Sequence, residues 1–545
     1  MSHPADTPAE TFTPEEAARL KPRFTNLDRR CFALRNLPET VKGALFARYS
    51  RSATPLRRLY LDEFDAGLPA GTSEGGEKSD ERAAALYDRV LGQYGDDSVA
   101  QLGSAHVACE GVSNVLTKIL ERGRLMSYLE QSTRYVPYTE RPNGRWKYVT
   151  PAEINDPADR RDYREVLDNA FETYARFIGC AQTHFRRLHP RTADDQPAAY
   201  DRSIRAKALD TVRGLLPAAT RSNLGIHGSG QAFEALLLRL GAHELDEAQR
   251  MGTAMLAELR EVIPAFVQRV DREDRGQRTI DYLRGRALAA CLATRRVEDD
   301  AFPGPLPDGN QVRLIDWKGD GEAAVLAAAL YPHTPFTLPS LQRAVEQMPA
   351  HKRSDLMRTL VGKRENRRHR PGRAFEHADY TFEITADYGA FRDLQRHRML
   401  TIDWQPLTTL HGAEAPAAID DIPGLRAAWS RVMQDGDELY QYLFRNYGPA
   451  VAQYAVPMAF RIRFTMRMNA REAMHVIELR TQPAGHPSYR RICQRMHRLI
   501  RDQAGHKAIA EAIRFANHDD TGLGRIGAEN RQERGAAGQA PTPAA

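Results

Sequence analysis

The sequence predicts a soluble chain of two domains that mix helices with strands, and three observations carry that prediction. Its 545 residues exceed what one hydrophobic core organises and suit two domains of ordinary large size, with tails and a linker left over. The composition, 42% hydrophobic and 27% charged, is that of a globular protein, and no apolar run approaches the length that spans a bilayer. The clearest linker is FPGPLPDGN, residues 302–310, so the domain boundary is expected there.

Composition also excludes several classes. The five cysteines, Cys31, Cys109, Cys180, Cys291 and Cys493, form no CxxC pair, which argues against a zinc site and a disulfide framework; no metal is expected. The N-terminus lacks a basic region followed by an apolar one, so it does not read as a secretory signal, and a cytoplasmic location is expected. A net charge of +6 favours anionic ligands and does not by itself indicate nucleic acid.

Residues 1–30 are polar and expected to be flexible apart from one short helix, which Thr13-Pro14-Glu15-Glu16 starts with an N-cap, a first-position proline and a capping-box glutamate. Residues 38–66 carry helical periodicity, and 67–79 read as a Gly- and Ser-rich loop. A helix over Asp80–Tyr94 ends at Gly95, and a turn runs to Ser98. Apolar groups then cluster through 102–120 ahead of RGRLMSYLEQSTRY, Arg122 to Tyr135. Such polar density is unusual for a core. The arginine forks suit a phosphate or carboxylate, and Glu130, Gln131 and Ser132 beside them suit a polar heterocycle, which together describe a nucleotide-sized anionic ligand. Further on, a long charged helix is expected from Asp156 towards Phe177, and a second charged helical stretch over 265–300. Beyond the linker, Val312–Trp317 reads as a strand and Glu322–Tyr331 as an Ala-rich helix. The segment 521–545 has too little apolar surface to fold and is expected to be disordered.

Arg122, Arg124, Ser127, Glu130, Gln131, Ser132, Arg134 and Tyr135 fall in register on a signature that resembles that of the flavin-dependent thymidylate synthases, with Gly123 where that family has histidine. Glu110-Gly111-Val112-Ser113 is similar to the family's Glu-Gly-Ile-Ser, while Gln101-Leu102 stands where a flavin-holding Glu-His pair belongs. WKYVTPAEI, 146–154, resembles the family's strand and Pro-containing turn, and Arg213, four residues before Pro217, its phosphate-binding arginine. Residues 230–251, with Arg239 and Ala248-Gln249, are similar to its closing helix, but HGSGQ has lost the asparagine, arginine and histidine expected just ahead. Past residue 311 the pattern restarts, so the chain reads as a divergent repeat of one domain. Here Glu376-His377 and Arg396-His397-Arg398 supply what the first copy lacks, and Asn469, Arg471, His475 and Arg480 follow Pro457 at the family's spacing. The nucleotide signature is gone from MLTIDWQPLTTLHG (399–412), and Gln453 replaces the phosphate arginine.

The resemblance implies an α+β fold of two tandem domains, 31–275 and 312–520, joined by a helix and linker over 276–311. It also implies methylation of dUMP to dTMP with methylenetetrahydrofolate, FAD and NADPH. Substrate would be bound by Arg122, Arg124, Glu130, Gln131, Ser132, Arg134, Tyr135 and Arg213, with Arg480, Arg239 and Ser132 as the catalytic candidates. Glu376, His377, Arg396, His397, Arg398, Asn469, Arg471 and His475 would hold the flavin. Because family sites lie between subunits of a tetramer, a homodimer acting as a pseudo-tetramer is expected. Two other readings stand beside this one. A family member without turnover would bind nucleotide or flavin as a sensor or scaffold, and the basic run KRENRRHRPGR (363–373) offers phosphate contacts to RNA, though without interleaved aromatics.

Overall fold

The computed structural model describes residues 11–29, 31–49, 52–65, 101–301, 311–519 and 522–537. The helix expected over Asp80–Tyr94, the loop and turn on either side of it, and the linker 302–310 lie outside the described residues. The chain forms two compact units, one of residues 1–110, 123–130 and 223–303, the other of 111–122, 131–222 and 304–545. These units do not coincide with the sequence halves, because a long stretch of the first half is built into the second unit.

In the first unit, α1 (Pro14–Leu20) starts as the sequence predicts, Thr13 and Glu16 completing a reciprocal capping box. α2 (Glu39–Tyr49) turns Val41, Ala44 and Leu45 into the core. β1 (Ser104–Ser113) follows, and Ser113 caps α3 (Asn114–Leu120) in the second unit by accepting from the Leu116 amide. β2 (Met126–Glu130) returns to the first unit.

The second unit then takes two long helices. α4 (Pro157–Leu188) has Asp156 accepting from the Ala158 and Asp159 amides, and it buries Tyr163, Leu167, Phe171, Tyr174, Phe177 and Phe185 along one stripe, running past its expected end. α5 (Pro197–Val212) packs beside it. Residues 146–154 do not form the expected strand: Tyr148 makes only a lone bridge to Thr220, because Trp146 and Tyr148 pack on Phe171 with ring centroids 5.5 and 5.7 Å away. β3 (Arg221–Ser229) leads back to the first unit and lies between β1 and β2, antiparallel to β2 from Met126 facing Gly228 to Glu130 facing Leu224. α6 (Gly230–Ala242), α7 (Asp246–Val262) and α8 (Arg278–Ala301) complete that unit.

The rest of the chain belongs to the second unit. Its antiparallel sheet has the order β4-β5-β7-β6, with β4 at Gln311–Trp317, β5 at Asp379–Asp387, β6 at Thr401–Trp404 and β7 at Arg461–Asn469. Tyr380, Phe382, Ile384 and Ala386 face Met468, Met466, Phe464 and Ile462, and all eight are buried, so alternate residues of the two central strands make one core face. Between β4 and β5 run α9 (Gly321–Leu330), α10 (Leu338–Glu346) and α11 (Ala350–Val361). α12 (Tyr388–Leu394) leaves β5, α13 (Leu425–Ala452) packs on α4, and α14 (Ala470–Arg480) leaves β7. α15 (Pro487–Asp502) and α16 (Lys507–Ala512) follow. The tail expected to be disordered instead carries α17 (Ile526–Ala537) on α5, with Arg202 paired to Glu529 and Glu533 at 2.8 and 2.6 Å. Ion pairs replace the apolar surface that the segment lacks. Among the described residues, no helix is long and apolar enough to cross a membrane.

Candidate functional site

The two halves repeat one framework, and the second unit holds the seam where the copies meet. Pro217 and Pro457 form a lone antiparallel bridge. Beside it the Ala218 N–H donates to the Val456 carbonyl at 2.9 Å and the Met458 N–H to the Leu216 carbonyl at 2.8 Å. Next come Ala219 to Tyr454 and Ala459 to Gly214, both at 3.0 Å. Each bond has its mirror, so the two segments face one another across a local two-fold axis. The helix starts repeat as well: Ser113 and Asp387 cap α3 and α12, and Ser229 and Asn469 cap α6 and α14. Counting from the caps makes Gly123 the counterpart of His397 and Gln249 that of Tyr489. The same count makes Leu240, not Arg239, the counterpart of Arg480. Arg239 itself lies half-buried on α6 in the first unit.

Four predicted residues, two from each half, gather in the second unit. Arg134 lays its Nε and Nη2 on the two oxygens of Asp210 at 2.7 and 2.8 Å, and its Nη1 donates to the Tyr489 hydroxyl at 2.9 Å. Arg213 lies 3.4 Å from Asp387 and 3.7 Å from Asp393. Room for its guanidinium comes from Gly389, where a Cβ would sit 2.7 Å from the Arg213 carbon Cζ. Arg480 donates from Nε to the Nε2 of His397 at 2.9 Å, approaches Asp393 at 3.6 Å, and lies 5.5 Å from the Tyr489 ring centroid. Tyr489 thus stands between Arg134 and Arg480, and Asp393 between Arg213 and Arg480.

Burial and charge set the protonation of this cluster. Burial pushes the Asp393 carboxyl up, but Arg480 with Arg396, Arg134 and Arg213 outweighs it and holds the group at about 2. Asp210 is likewise held below the usual carboxylate range, since Arg134 outweighs burial. Burial, reinforced by Arg213, lowers His486 to about 3, and burial with Arg480 lowers His397 well below its ordinary range. His397 is therefore neutral. Its Nε2 accepts from Arg480, so its proton sits on Nδ1, 3.5 Å from Glu472.

His397, Glu472 and His475 bring ligand atoms within 4.8 Å of one another. Arg480 donates to Nε2 of His397, and Arg370 lies 2.9 Å from Nδ1 of His475.

The other predicted residues are dispersed. Arg122 is exposed, pairs with Asp403 at 3.0 Å and stacks over Trp404. Arg124 and Glu130 belong to the first unit, Arg124 exposed and Glu130 buried at the end of β2. Gln131 is half-buried, the Ser132 hydroxyl accepts from the Arg134 amide at 3.2 Å, and Tyr135 is exposed beneath Arg525 at 4.3 Å. Of the flavin candidates, Glu376 lies 3.1 Å from Arg373 and 3.7 Å from Arg471, while His377 and Arg396 are exposed and Arg398 is half-buried. Asn469 spends its side-chain oxygen on the Glu472 amide. The basic run turns partly inward, since Arg364 is buried in a bidentate pair with Glu478 at 2.7 and 2.6 Å.

Two cavities of useful size adjoin these residues. One of about 740 Å³ is lined by Gly372–His377 together with Tyr331, Pro332 and Leu360. The other, about 450 Å³, has Arg213, Lys207, Asp387 and His486 on its polar side and Phe185 and Trp429 on its apolar side. Sequence reasoning missed Asp210, Asp387, Asp393 and Tyr489. Only Tyr489 carried a signal, as the counterpart of the matched Gln249.

Comparison with known proteins adds the following. The family model described as thymidylate synthase complementing protein matches twice, over residues 47–265 and 313–504. The UPF0159 protein of Chlamydia muridarum is 38% identical over 534 residues, covering 96% of this chain and 98% of its own. That of Thermoplasma acidophilum is 33% identical over 91% of this chain and 99% of its own. A flavin-dependent thymidylate synthase of Mycobacterium bovis is 30% identical over 181 residues, 33% of this chain and 66% of that protein. A crystal structure of a UMP/dUMP methylase from Streptomyces cacaoi bound with 5-Br dUMP aligns over 39% of this chain and 100% of its own, with 22% identity and a TM-score of 0.31.

Proposed function

Because the chain belongs to the thymidylate synthase complementing protein family, we propose that it methylates dUMP to dTMP at a composite site, with nucleotide-gripping residues from its first half and flavin-holding residues from its second. The observation that supports this most is the convergence of Arg134 and Arg213 with His397 and Arg480 through Tyr489 and Asp393. Methylenetetrahydrofolate would donate the carbon and NADPH the reducing equivalents.

The residues fit FAD. The 740 Å³ cavity carries Glu376 for ribose hydroxyls and Arg373 for a pyrophosphate, with Arg471 paired to the same Glu376. When bound, the flavin supplies the hydride. Arg480 is the cation for charge developing on a uracil carbonyl, and neutral His397 fixes its Nε without competing for that charge. Arg134 and Arg213 would exchange their carboxylate partners for the substrate phosphate, with the nucleoside in the 450 Å³ cavity.

Purified protein should show flavin absorbance that disappears in His397→Ala and dUMP binding that disappears in Arg134→Ala. Tritium release from 5-labelled dUMP tests turnover. A second reading, a nucleotide- or flavin-binding member without turnover, is favoured by the bidentate hold of Asp210 on Arg134. Binding without tritium release would establish it and exclude the first.

A further inference from the structure

We propose that Arg525, carried on the C-terminal strap of residues 522–537, is an anion-binding residue that closes over the phosphoryl end of a ligand and is held down by it. The strap's turn, Gly522 to Arg525, covers a crevice of about 30 Å³ whose wall, among the described residues, includes Arg134, Lys207, Arg490 and Arg525 and one carboxylate, Asp210. Asp210 is already committed to both nitrogens of one Arg134 edge. Arg490 donates to the Thr481 and Asp519 carbonyls at 3.0 and 2.9 Å and to the Asn517 side chain at 2.8 Å.

Arg525 is the outlier. It is 9% exposed, its Nη1 is buried with no hydrogen-bond partner, its Nε reaches the Ala484 carbonyl only at 3.4 Å, and its guanidinium lies over Tyr135. A buried guanidinium edge without an acceptor among three further cations is costly, and an oxyanion in the crevice would supply both the acceptor and the charge. The crevice shares Lys207, Asp210, Pro487 and Gly522 with the 450 Å³ cavity, so a ligand lying in that cavity can turn a charged end towards Arg525. With room for only one or two waters, the closed crevice admits a phosphoryl group only as the strap lifts. Lys207 holds the strap's edge by donating to the Gly522 carbonyl at 3.3 Å. Arg202 moors α17 through Glu529 and Glu533, and Asn530 is joined to the Gln196 amide and to Asp195, both at 3.1 Å.

The anion site stands on its own geometry and rests on the nucleotide reading only in naming dUMP as its ligand. Calorimetry on the full chain with dUMP, deoxyuridine and pyrophosphate tests both. Arg525→Ala should weaken dUMP binding at least tenfold and leave deoxyuridine binding, flavin content and thermal midpoint as in the wild type, with Arg525→Lys intermediate. Dual replacement of Glu529 and Glu533 by alanine keeps Arg525 but loosens its mooring. It should expose the C-terminal segment to trypsin, and dUMP or pyrophosphate should protect that segment in the wild type. If Arg525→Ala binds dUMP like the wild type, the strap proposal falls and the nucleotide reading stands. Arg525-dependent binding of pyrophosphate without dUMP binding sustains the anion site and overturns the nucleotide reading. No binding of either by the wild type overturns both.

Discussion

Asp210 governs what Arg134 can receive. Removing a carboxylate from a buried ion pair strands its partner at a cost of about 3–5 kcal/mol. Asp210→Asn should therefore lower the thermal midpoint sharply, and added dUMP should raise it again by more than it raises the wild type, since the nucleotide phosphate then meets an unpaired fork. The histidines set a pH limit. Burial, joined by neighbouring guanidiniums, keeps His475 at about 4 and His486 at about 3, so both are neutral in the folded chain. The unfolded chain binds those protons near pH 6.5, so the stability they hold is complete above about pH 6.5 and drains away as pH falls towards about 4. A thermal midpoint followed from neutral pH downward should fall through that window, and less steeply in His475→Gln. Arg134, Arg213, Arg480 and His397 were legible as motif residues, whereas His486 was not. Asp210 and Asp393 were not, because each gains its role only when α5, α12 and α15 converge, a tertiary event that no local spacing records.

Among the elements, the basic run 363–373 shows how composition and placement part company. Read as a charge run it promises a solvated loop, yet Arg364 is 2% exposed, paired with Glu478 on α14 and donating to the Ala512 carbonyl at 2.6 Å. Glu478→Gln should cost about 3–5 kcal/mol in chemical denaturation, whereas replacing both partners with apolar residues of similar volume should cost less. Helix starts were far more legible, because a cap is written within four residues: Thr13 and Asp156 act where the sequence predicts a helix to begin. Residues 146–154 failed as a strand because stacking on α4 claimed their aromatics. The C-terminal segment gained a helix because α5 offered it charge rather than apolar surface.

Over the whole molecule, repetition was legible and partition was not. The sequence divides at its linker, but residues 131–222 of the first half are built into the unit that holds the second half's sheet. The second half expressed alone, from residue 312, should therefore be aggregation-prone and lack a cooperative thermal transition, whereas a chain that keeps 131–222 should unfold cooperatively. Light scattering tests the proposed pairing of chains, for which a mass of two chains is the expected result. The Pro217–Pro457 seam adds a consequence for assay design. Both of its edges belong to one polypeptide, so they meet at a fixed effective concentration however little protein is present. Thinning the solution can dissociate chain from chain, but it leaves the junction of the repeats tethered. A signal that survives extreme dilution would then report on the single molecule, and one that fades would report on its company.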